Sequence, residues 1–179
     1  MSDRRFRKTE DAIMGAFYVV GEFSNLADVI RKAKISRSTF YRHHGSMQKI
    51  VFDHEEYLMS RYLRIVRSRR KKKSIGKKDV FRQMLVFMMV NKKVLLVLLK
   101  NGNGEIVRRM VRALRPRIMR AYKWSNCSGK VFEIYVNEIL ALIQDWEKNM
   151  FSEDELDRIL WEIMYLTETA KKRLRPLEE

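Results

Sequence analysis

Cysteine is nearly absent: Cys127 stands alone in 179 residues. No disulfide can form within one chain, and a reducing compartment suits such a protein. Two prolines and seven glycines are too few for a linker-rich or collagen-like chain. Strand alternation is missing, because apolar runs such as Val94–Leu99 are short and lie in helical context. That run falls far below the ~20 residues that span a bilayer. The N-terminus opens on charge and has no apolar signal core. These absences predict a cytoplasmic, all-α protein with no membrane contact.

Chemistry-bearing groups are scarce as well. The histidines are His43, His44 and His54, and no carboxylate pairs with them at ligand spacing in the sequence. There is no glycine-rich phosphate loop before a helix and no serine-nucleophile signature. No metal, cofactor or catalytic residue is expected, and the chain is not read as an enzyme. Acidic residues are few: 22 Asp and Glu face 38 Lys and Arg, a formal charge of +16. An excess of that size favours a polyanionic partner, with nucleic acid first and an anionic membrane surface as its rival. Hydrophobic residues make up 46% of the chain, enough for a sizeable helical core.

The chain is organised around Asn25 to His44, NLADVIRKAKISRSTFYRHH. Leu26, Val29, Ile30 and Ala33 recur at helical spacing, with Asn25 placed to cap and Asp28 three residues on. Lys34-Ile35 breaks the pattern. Ser36 is the expected N-cap of a second short helix, in which Phe40 is the one large apolar residue. Arg37, Ser38, Thr39, Tyr41, Arg42 and His43 are left to face outward. None is acidic and all carry donors, a set suited to a phosphate-lined groove. An ordinary helical hairpin with a polar outer face fits the spacing equally well.

Beyond spacing, the run Ser36-Arg37-Ser38-Thr39-Phe40-Tyr41-Arg42-His43 resembles the DNA-binding domain of TetR-type transcriptional regulators, in the subgroup reading roughly "SRSTFYRHF". Thr9, Ala12, Ile13, Ala16 and Phe17 are similar to that family's first helix, and Asp28, Ala33 and Ile35 to its second helix and turn. The likeness covers about the first third of the chain. It implies a three-helix helix-turn-helix head on a helical body, about nine helices in all, reading a palindromic operator as a homodimer. The site residues it implies are Asn25, Arg37, Ser38, Thr39, Tyr41, Arg42, His43 and Lys49. The chain departs from the pattern at Lys34, where glycine is usual, at His44, where a buried phenylalanine is usual, and at Met47, where a phosphate-contacting lysine is usual. Lys49 is the nearest substitute for that lysine. Lys34 predicts either a strained left-handed turn or its avoidance.

Along the rest of the chain, residues 1–7 are read as a loose basic arm and Lys8–Val20 as the first helix. Met47–Arg69 is a long helix capped by Ser46, with Ile50, Val51, His54, Tyr57, Leu58, Tyr62 and Ile65 on one stripe. The basic block around Arg67–Lys73 is a solvated linker. From Lys77, Val80, Phe81, Met84, Leu85, Phe87, Met88 and Met89 mark a central helix, and Val94–Leu99 a short buried one. Asn101-Gly102-Asn103-Gly104 is the clearest turn. Glu105–Lys123 follows, bent at Pro116, with Arg108, Arg109, Arg112, Arg115, Arg117 and Arg120 along its outside. Gly129–Asn149 is a helix capped by Ser128. Ser152 and Glu155 make a capping box for a last helix, Glu153–Leu174.

The expected domains are 1–52 (DNA-binding head), 53–78 (connecting helix and basic linker) and 79–179 (regulatory and dimerisation body). The run around Trp146, Asn149 and Glu155 is similar to the family's C-terminal pattern, with Met150 in a glycine's place. The resemblance implies a dimer through the last two helices, with Tyr135, Ile139, Ile143, Leu156, Leu160 and Ile163 as its interface. It also implies a small-molecule effector, with Met84, Phe87, Met88, Met110, Leu114, Tyr135 and Trp146 as candidate walls. The alternative for both sets is plain monomer core. The rival function is a TetR-like protein acting through a protein partner without reading an operator.

Overall fold

The computed structural model describes residues 2–20, 26–68, 76–102, 104–124 and 127–173. Every regular element among them is an α-helix: α1 (Ser2–Val20), α2 (Leu26–Ala33), α3 (Arg37–His43), α4 (Met47–Ser68), α5 (Lys77–Val90), α6 (Lys92–Gly102), α7 (Glu105–Tyr122), α8 (Gly129–Lys148) and α9 (Leu156–Arg173). The all-α expectation holds, and no described helix is long and apolar enough to cross a membrane. Two compact units emerge, Met1–Tyr57 with Lys93–Asn103, and Leu58–Lys92 with Gly104–Glu179.

This division differs from the expected domains 1–52, 53–78 and 79–179. The first unit runs on into α4 and recruits α6, which the sequence reading gave to the body. Packing explains the difference: Val97 joins the core built from Ile13, Met14, Phe17, Val29, Phe40 and Ile50. Within this unit α1 packs on α2. The basic N-terminus is helical from Ser2 rather than a loose arm, and Thr9 Oγ1 donates to the Arg5 carbonyl at 3.0 Å.

In the second unit α5 packs on α7 and α9, and α8 packs on the same two helices. Of the apolar positions expected of α5 all but Met89 are buried, and Met89 is half-buried. On α4, Leu58, Met59 and Tyr62 are buried, whereas Tyr57 and Ile65 are exposed, contrary to the expected stripe. Tyr57 lies about 100° around the helix from Leu58, and Ile65 borders an open concavity. Arg117 also departs from expectation. It is only 9% exposed, and its guanidinium donates to the Val66 carbonyl and, at 3.4 Å, to Gln83 Oε1. The last carbonyls of α4 lack intrahelical partners, and Arg117 supplies one.

Helix ends follow local chemistry. Ser36, Ser46 and Ser128 each accept from the backbone N–H three residues on, at 3.0, 3.1 and 3.4 Å. Such caps are worth about 1 kcal/mol each. The expected Ser152–Glu155 capping box does not form, and α9 starts at Leu156. The Glu155 carboxylate instead accepts from Asn149 Nδ2 at 2.9–3.0 Å and from Arg158 at 3.1 Å, while Trp146 Nε1 donates to the Ser152 carbonyl at 2.9 Å.

Three helices end in the same paired bonds. Lys34 N bonds to Arg31 O and Ile35 N to Ile30 O; Lys123 N to Arg120 O and Trp124 N to Met119 O; Met150 N to Glu147 O and Phe151 N to Trp146 O. These are Schellman closures, in which a left-handed residue is normally glycine. Here Lys34, Lys123 and Met150 take it, at φ 54°, 53° and 56°. The left-handed turn at Lys34 is therefore adopted, not avoided. Lys34→Gly is expected to stabilise the protein by about 1 kcal/mol. A urea-melt midpoint that stays put or falls would contradict this.

Candidate nucleic-acid interface

α3 is seven residues long and is pinned by one side chain. Phe40 is fully buried, and its ring meets the Tyr41 ring edge-on at 5.7 Å. Arg37, Ser38, Tyr41 and Arg42 are exposed. Neither Arg37 nor Arg42 has a hydrogen-bond or ion-pair partner among the described residues. Ser38 and Thr39 are less available, because both hydroxyls lie 2.9 Å from the Ser36 hydroxyl, in a network at the helix start. Thr39 is half-buried. Lys49 forms an ion pair with Asp53 at 2.5 Å and lies over the Phe52 ring, so its charge is partly spent within α4. Asn25, the other expected contact, lies outside the described residues.

His43 does not face outward as expected. Its ring stacks on Phe6 at 4.1 Å, and its Nδ1 is 2.9 Å from Glu10 Oε2. His44 is 4% exposed, and its Nε2 is 2.9 Å from the other oxygen of Glu10. Both adjacent histidines thus reach one carboxylate. The C-terminal end of α3 is thereby tied to α1. The Phe6 stack also brings the first turns of α1, with exposed Arg4, Arg5 and Arg7, beside the last turn of α3. Glu10 was missed because it lies 33 residues before His43. The one available hint was His44 standing where the family pattern has a buried phenylalanine. His54 donates from Nδ1 to the Ile50 carbonyl at 3.2 Å, and burial holds its pKa below the ordinary value by disfavouring the charged ring.

The expected pocket walls are core. Met84, Met88, Met110, Leu114, Tyr135 and Trp146 are at most 1% exposed, and Phe87 is 5% exposed. Phe87 borders an open concavity together with Ile65, Gln83 and Val86, and the Tyr135 hydroxyl is satisfied by Thr167 at 2.7 Å. The expected dimer residues are inside too: Tyr135, Ile139, Ile143, Leu160 and Ile163 are at most 1% exposed, and Leu156 is 8% exposed. They lie within the core of the single chain. Exposed apolar surface lies elsewhere on the same helices, at Ile134, Trp161 and Tyr165, which are 59–64% exposed. Trp161 and Tyr165 stack at 5.4 Å.

The described residues hold no cluster of three or more His, Cys, Asp or Glu fit for a metal ion. No protein-family model, no curated protein and no solved structure matches the chain.

Proposed function

We propose that the chain is a sequence-specific DNA-binding transcriptional regulator of TetR type, acting as a homodimer on a palindromic site. The observation that carries the reading is the contrast along α3: Phe40 is sealed in the core while Arg37 and Arg42 stand exposed without partners among the described residues. A short helix held this way presents two forked cations to a groove at little loss of side-chain packing. Arg37, Tyr41 and Arg42 are its principal contacts, with Ser38 and Lys49 secondary. Phosphate attraction supplies most of the affinity and the α3 side chains the discrimination. The net charge of +16 supports a polyanionic partner.

Dimerisation is assigned to the outer faces of α8 and α9, where Ile134, Trp161 and Tyr165 replace the six buried residues first considered. Exposed stacked aromatics are common anchors of protein interfaces.

Selection of binding sites from random duplex DNA tests the whole reading, and an enriched palindrome is the expected result. On the selected site Arg37→Ala should weaken binding by about 1–3 kcal/mol if the side chain pairs bidentately with guanine. Selection that returns no common sequence would instead favour a partner-binding protein that reads no operator.

A further inference from the structure

We infer that a concavity between α4 and α7 is a binding site for a small organic anion with an apolar tail. Its volume is about 190 Å³, and Val66, Ala113 and Pro116 form apolar walls while Arg67, Arg117 and Arg120 supply the charge. All of it lies within the second unit, and the inference does not depend on DNA binding.

Three guanidiniums share this small hollow, and no carboxylate lines it among the described residues. Arg67 and Arg120 have no acidic partner among the described residues. Arg117 is held by the Val66 carbonyl and Gln83, so its guanidinium is fixed in place before any ligand arrives. Like charges brought together at a partly apolar surface repel, and an anion between them removes that repulsion. Guanidinium forks match the two oxygens of a carboxylate. The surrounding wall is mostly hydrocarbon, which suits a tail rather than a bare inorganic ion.

Size narrows the class. Sites for drug-sized ligands occupy about 300–1,000 Å³, so this hollow takes a short chain or a single ring. It shares no residue with the expected pocket, whose residues are core. Of its charged walls, only Arg117 is buried. Arg67 and Arg120 sit on long exposed stems that can close over a bound anion.

The test is calorimetric titration of the full chain at physiological salt with hexanoate, acetate, 1-hexanol and inorganic phosphate. Hexanoate should bind at least about tenfold more tightly than the other three, since it alone has both charge and tail. Arg120→Ala and Arg67→Ala should each weaken hexanoate by about tenfold or more. Ala113→Phe, which fills a wall, should abolish binding while the circular-dichroism spectrum keeps its helical form. Equal affinity for hexanoate and acetate would reduce the hollow to general anion attraction. Equal affinity for hexanoate and 1-hexanol, or hexanoate binding unchanged by Arg120→Ala, would overturn the assignment.

Discussion

Phe40→Ala is expected to destabilise the first unit by about 3–5 kcal/mol, the usual range for emptying a buried phenylalanine site. The ring is fully buried among Ile13, Phe17, Val29, Ile50 and Val97, which come from four different helices besides its own. No other large apolar side chain of α3 enters that core. The loss should therefore appear first in α3 itself. Amide hydrogen exchange would report faster opening across Arg37–His43 than across α8. Measured protection of α3 equal to that of the unaltered protein would mean that the Glu10–histidine contacts, not Phe40, hold the helix. Because α3 carries Arg37 and Arg42, affinity for a selected DNA site should fall along with the protection.

Gly104→Ala carries the other large effect, about 2–5 kcal/mol. Gly104 is buried at φ 76°, at the start of α7, and a Cβ there would lie 2.6 and 3.0 Å from the two Leu140 methyls on α8. Left-handed geometry alone costs a β-carbon about 1–2 kcal/mol, and forcing a methyl into a packed contact adds about 1–3 kcal/mol. The two causes can be separated. In a Leu140→Ala background the clash is gone and only backbone strain remains, so the added cost of Gly104→Ala should drop to about 1–2 kcal/mol. Tryptophan fluorescence during urea unfolding reads this unit, which contains Trp124, Trp146 and Trp161. An unchanged midpoint for Gly104→Ala would mean that α7 and α8 shift apart without penalty.

Individual side chains show how far linear pattern reaches. Ser36, Ser46 and Ser128 were legible as caps because a cap is a bond between residues three apart, and both partners are visible in a short window. Most of the inward face of α5 was legible because the helical period repeats it. The candidate site was half legible. Phe40 as anchor and Arg37 and Arg42 as exposed cations follow from position in a short amphipathic helix. The inward turn of His43 does not, since it depends on Phe6 and Glu10 being folded against it.

Arg117 makes the same point from the other side. Six arginines on α7 look alike in the sequence, and periodicity alone places none of them indoors. Arg117 turns inward because α4 ends nearby with a carbonyl in need of a donor, a fact of long-range packing. Burial misled in the opposite direction on α8 and α9. An apolar stripe announces that something covers it but not whether that cover is the same chain or another copy. For Tyr135, Ile139 and Ile163 the cover is the chain itself.

By itself, then, the order of residues determined helix content, most helix boundaries and the cationic character of α3, because each is set by groups within a few positions of one another. Tertiary structure alone decided that α6 joins the first unit, that Glu10 ties both histidines to α1, that Arg117 is buried, and that three arginines meet over an apolar wall. Those facts join residues dozens of positions apart. Which of the many conceivable long-range pairs form is settled only when the whole set of apolar faces is buried at once.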